Sequence, residues 1–160
     1  VNGANDEQLF NTFVPRPTEK EDDWYNWNIE NWGTKWDVAP YDEAFVEGEK
    51  SDTVVLGFDS AWAPPTGVYE ALVEQGFAVR AYYYEPGIGF AGIYDEHGDN
   101  YYELAEMTSD EVRDAIPPEL DDAFGISETI AEWEEEDPVT EWYKEGVEET
   151  GLIPHDPPKK

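Results

Sequence analysis

The run FAVRAYYYEPGIGFAGIYDEHGDNYYEL at residues 77–104 predicts three successive strands. Phe77, Val79, Ala81 and Tyr83 alternate with Arg80 and Tyr82, the period of a half-buried strand over 77–84. Glu85-Pro86-Gly87-Ile88-Gly89 is a turn, 90–94 the next strand, 95–100 a hairpin loop and 101–104 the last strand. Upstream, residues 53–58 are β-branched and apolar and predict a buried strand. Pro64-Pro65-Thr66-Gly67 then leads into a helix from about Val68 to Gln75, which Gly76 ends. Residues 53–104 therefore read strand, helix, strand, strand, strand. That order is α+β, with a sheet of about four antiparallel strands and helices on one face.

Outward from this run the chain is helical and aromatic. Asn5 or Asp6 caps a short helix carrying Leu9, Phe10 and Phe13, and Pro15 and Pro17 end it. Residues 24–37 are the densest aromatic stretch, with one or two helical turns over 24–31 closed by Asn31 and Gly33. After Met107, Thr108 or Ser109 caps a helix and Pro117-Pro118 interrupts. Helices follow at 127–133 and 140–147, separated by Glu134-Glu135-Glu136-Asp137-Pro138. The domain plan is a sheet domain over 1–104, an acidic helical extension over 105–154 and a mobile tail over 155–160.

Composition narrows the function classes. The 160 residues hold 39 Asp and Glu against nine Lys and Arg, a formal charge of −30. A small soluble domain is comfortable at a magnitude of roughly 2–8. Direct nucleic-acid binding needs clustered Lys and Arg, and anionic membranes repel such a chain, so neither is a partner. Cysteine is absent, which removes disulfides and thiolate metal sites. Seven Trp, ten Tyr and seven Phe supply the apolar area for a core, unlike disordered acidic chains. No apolar run is long enough to span a membrane, and no signal-peptide pattern opens the chain.

Three motifs resemble a known family. They are residues 27–37 (WNIENWGTKWD), 58–65 (FDSAWAPP) and 84–92 (YEPGIGFAG). Together, in this order, they look like the signature stretches of the YubB-like proteins of phages and plasmids, over roughly residues 1–104. The resemblance implies a ferredoxin-like domain and a mobile-element origin, with the cytoplasm of an infected bacterium or the virion as the place of action. It implies no activity. It also implies a strand before the first Gly turn, here reduced to Val1-Asn2, so the expectation is a chain lacking its true N-terminus.

No motif calls for catalysis, a cofactor or a metal. Gly87-Ile88-Gly89 lacks the glycines, Lys and following helix of a phosphate loop and reads as a tight turn. Asp59-Ser60 has no positioned His, since His97 lies in a hairpin tip and His155 in the tail. Residues 95–100 lack the ligand alternation of a calcium loop.

Two binding surfaces remain. Eighteen acids against Arg113 and Lys144 fill residues 103–149, an array able to imitate the field of duplex DNA. Glu132, Glu134, Glu135, Glu136, Asp137 and Glu141, with Trp133 and Trp142 as apolar anchors, form a surface for a basic protein, such as a nucleic-acid-binding one. A solvated face adapted to salt is the alternative source of the same acids. The second surface is a ligand groove at Asn31, Trp32, Lys35, Trp36, Trp62 and Glu85, serving a small-ligand-binding or enzymatic domain; the other reading of this stretch makes Trp24, Trp27 and Trp32 core, with Asn31 and Asp37 satisfying a turn. A virion-associated structural part is a further class.

Overall fold

The computed structural model describes residues 8–39, 45–46 and 53–136. The expected cap at Asn5 or Asp6, the strand remnant Val1-Asn2, the helix over 140–147 and the tail lie outside the described residues. The elements run α1 (Leu9–Phe13), a 3-10 turn (Thr18–Lys20), α2 (Trp24–Trp32), β1 (Phe45–Val46), β2 (Val54–Val55) and α3 (Thr66–Glu74). They continue with β3 (Ala81–Glu85), β4 (Phe90–Asp95), β5 (Gly98–Glu103), α4 (Ser109–Ala115), α5 (Pro118–Phe124) and α6 (Ile126–Glu136). The class is mixed α and β, with a three-stranded antiparallel sheet ordered β3-β4-β5. A separate two-stranded ladder pairs Phe45 with Val55 and Val46 with Val54. The sheet of about four strands thus resolves into three strands plus this isolated pair.

The chain divides into two compact units. The first comprises Val1–Ala81 with Tyr94–Asp99, the second Tyr82–Ile93 with Asn100–Lys160.

In the first unit, Leu9, Phe10, Trp32, Val38 and Val68 form the core, with Phe13, Trp27, Leu56, Phe58 and Leu72 against them. Phe10 meets Trp32 and Phe58 edge-on, and the Trp32 indole N–H donates to the Val14 carbonyl at 2.9 Å. Burial of that N–H is therefore compensated. Gly33, in the left-handed region at φ +84°, closes α2 as the sequence predicts, donating to the Asn28 and Ile29 carbonyls. Helices α2 and α3 approach so closely that a Cβ on Gly67 would collide with the Asn31 carbonyl. Tyr94 lies against Tyr69, ring centroids 5.1 Å apart.

In the second unit, Ala91 and Ile93 of β4 pack with Leu104, Val112, Ile116, Leu120 and Ile126, so α4, α5 and α6 share one core with the sheet. On the other face Tyr83 meets Phe90 edge-on and Phe90 meets Tyr101 at a tilt, and the Tyr83 ring occupies the space a side chain at Gly92 would need.

Five sequence expectations change. The hairpin loop expected over 95–100 shrinks to residues 96–97, because β4 continues to Asp95 and β5 already starts at Gly98. Residues 53–58 are not a buried strand: only Val54–Val55 is extended, and both side chains are exposed. The strand expected over 77–84 begins at Ala81. Pro117-Pro118 does not merely interrupt; Pro118 is the first residue of α5, where its missing N–H has no helical partner to lose. Glu134–Glu136 are not a loop but the last turn of α6.

Candidate functional site

Helix α6 forms because Ile126 and Ile130 recur on one face and pack inward, leaving the opposite face to carboxylates. Glu128, Glu132 and Glu135, at i, i+4 and i+7, are exposed there. Trp133 stands about 100° round the helix from Glu132 and is 52% exposed. Exposed Asp110, Glu111, Asp114, Glu119 and Asp122 belong to the same unit. Arg113 is that unit's one Lys or Arg among the described residues, and it already pairs with Asp110 at 2.8 Å.

The acids divide into two kinds. Glu134 is turned inward: its two oxygens accept from the Ser109 backbone N–H at 3.0 Å and hydroxyl at 2.8 Å, covering the start of α4. Asp121 repeats the arrangement on the Ser127 N–H and hydroxyl at 2.7 and 2.6 Å, covering the start of α6. Asp37 does the same work for α1, accepting from Phe10, Asn11 and Val38 N–H groups at 2.6, 2.8 and 2.8 Å. Each carboxylate answers helix-end N–H groups and the positive end of the helix dipole. Thr108 and Glu111 close α4 reciprocally, and those bonds hold the Glu111 carboxyl below the usual range. The sequence offers Thr108 or Ser109 as the cap, and Thr108 takes it; the inward turn of Glu134 is not legible there, because a bond spanning 25 residues leaves no local pattern.

Of the surface expected for a basic partner, Glu132, Trp133 and Glu135 are therefore exposed, Glu134 is engaged, and Glu136 ends the helix. Asp137, Glu141 and Trp142 lie outside the described residues.

The residues expected to line a groove are placed differently from one another. Trp32 is core, 2% exposed. The Asn31 side-chain amide donates to the Trp27 carbonyl at 2.8 Å. Lys35 lies over the Trp36 ring, its Nζ 4.5 Å from the centroid. Glu85 belongs to the second unit, where its carboxylate accepts the Ile88 N–H of its own turn. Trp62 is 74% exposed in the left-handed region at φ +72°. The Ser60 hydroxyl donates to the Ala63 carbonyl within its own turn.

Among the described residues no group of three or more His, Asp or Glu could hold a metal ion, and no helix is long and apolar enough to cross a membrane. No protein-family model, curated protein or solved structure matches this chain, so the resemblance to the YubB-like proteins rests on its three motifs.

Proposed function

We propose that this protein is a non-enzymatic binding protein that engages a basic protein through the outward face of α6, competing there with nucleic acid. The carrying observation is the row Glu128, Glu132, Glu135, with half-exposed Trp133 on the adjoining side of the same helix, about 100° round from Glu132. Along the helix axis these carboxylates fall about every 5 Å, against roughly 3.4 Å per phosphate along one DNA strand. The row alone is sparser than a strand, and the exposed acids of α4 and α5 raise the density. A partner built to neutralise phosphates would meet a field of the same sign, with Trp133 supplying the buried contact that charge pairs alone do not. The ferredoxin-like scaffold and phage or plasmid origin belong to this reading, supported by the α3-β3-β4-β5 order and the three motifs.

The test is capture of basic host proteins by the full chain at about 50 and about 300 mM salt, beside a Glu128→Gln, Glu132→Gln, Glu135→Gln variant. The reading expects a discrete nucleic-acid-binding protein, held at low salt, lost in the variant and displaced by duplex DNA. Equal capture by the variant, or no displacement by DNA, refutes it.

A further inference from the structure

The loop carrying Trp62 is built to hold that side chain in the open. On one side the Thr34 hydroxyl, fully buried, donates to the Ala61 carbonyl at 2.7 Å. On the other, the Ser60 hydroxyl bridges to the Ala63 carbonyl at 2.7 Å, and Pro65 is buried at the start of α3. Both flanks are thus pinned while Trp62 itself takes a left-handed backbone that is strained for a bulky side chain. The indole makes no ring or cation contact among the described residues, whereas Trp36 carries Lys35 over its ring. Exposed Asp59 lies three residues away, and the whole chain carries −30.

We propose that Trp62 is a preformed anchor for a cationic side chain, arginine or lysine, of a basic protein partner. An open indole face attracts such a head through the ring quadrupole, and Arg in particular stacks flat on it. The surrounding negative charge draws the same head and repels anionic ligands, which sets the occupant's sign. Because the loop is pinned beforehand, little ordering cost falls on binding. The inference rests on the reading of this protein as a binder of basic proteins, and it adds a contact point in the first unit that the acids of α6 do not supply.

The test uses the full, 15N-labelled chain, with the Trp62 indole N–H signal identified by its loss in Trp62→Phe. The probe is a short arginine-rich peptide, with its citrulline counterpart as the neutral control. The Trp62 signal should move saturably with the arginine peptide and stay still with the citrulline one. Trp62→Leu, which keeps apolar bulk but removes the ring, should weaken binding by about 2- to 30-fold, and Trp62→Tyr should restore part of it. A still Trp62 signal, or equal affinity in Trp62→Leu, overturns the proposal. If the triple Gln variant of α6 loses the peptide while Trp62→Leu keeps it, the function stands and this inference falls. The opposite pattern keeps the anchor and removes α6 from the interface. No binding by the parent chain removes both.

Discussion

Glu134 holds Ser109 by two parallel hydrogen bonds, at 3.0 and 2.8 Å, although 25 residues separate them. This contact joins the last turn of α6 to the first of α4. Glu134→Gln or Ser109→Ala should each cost about 1–2 kcal/mol of stability, the range for loss of a helix cap. The double variant should cost clearly less than the sum, which urea unfolding of all four proteins would read as a double-mutant cycle. Strict additivity would mean that the two side chains do not act together.

Gly67→Ala should be destabilising beyond ordinary helix propensity, which by itself favours Ala. The new Cβ meets the Asn31 carbonyl, a backbone atom that cannot rotate aside. Overpacking of this kind costs about 1–3 kcal/mol, visible as a lower urea midpoint. A neutral or raised midpoint would place α2 and α3 further apart.

Trp62→Gly should behave in the opposite sense. Relief of a left-handed backbone is worth about 1–2 kcal/mol, against about 0.5–1 kcal/mol for the freedom Gly gains when unfolded. The net effect is a Tm higher by about 1–4 °C, checked by calorimetry. A lower Tm would mean that the indole packs on the fold rather than standing free.

At the alkaline end, burial together with the Asp99 charge holds the Tyr69 hydroxyl well above the ordinary tyrosine range. Because the folded value is the higher one, this contribution is complete below the unfolded value of about 10 and is lost as pH rises beyond it. Unfolding midpoints should fall above that pH, and Tyr69→Phe should flatten the decline. Tyrosinate absorbance that rises before unfolding in full would contradict it.

Glu111 sets a slope at the acid end. Its folded value is depressed by the Thr108 N–H and hydroxyl, so its contribution is present above the unfolded carboxylate range and is lost as pH falls through the folded value. NMR titration of the Glu111 side chain should give a midpoint below the ordinary glutamate value of about 4.3. A midpoint equal to it would dissolve the reciprocal cap with Thr108.

Local signals were legible in the sequence. The turn at 85–89, the hairpin tip at His97, the Gly33 stop and the Thr108 cap each rest on a few neighbouring residues and appear where the pattern places them. What failed needed partners far along the chain. Val54 and Val55 have strand chemistry, but among the described residues they pair only with Phe45 and Val46 and their side chains stay exposed. Pro118 reads as a breaker until Leu120 is seen filling the core beside Ile126. The candidate surfaces divide the same way. The composition marks the acids, while only the fold separates outward Glu132 from inward Glu134, and displayed Trp62 from buried Trp32.

The two serine–carboxylate clamps, Ser109 with Glu134 and Ser127 with Asp121, also bear on ancestry. Acids such as Glu128, Glu132 and Glu135 stand exposed on the helix surface, and drift can replace them one at a time. At the clamps a change in one member strands the other, so substitutions there should arrive in pairs. Correlated replacement at 109/134 and 127/121 is then a signature by which distant kin could be recognised after overall resemblance, and even the acidity, has faded.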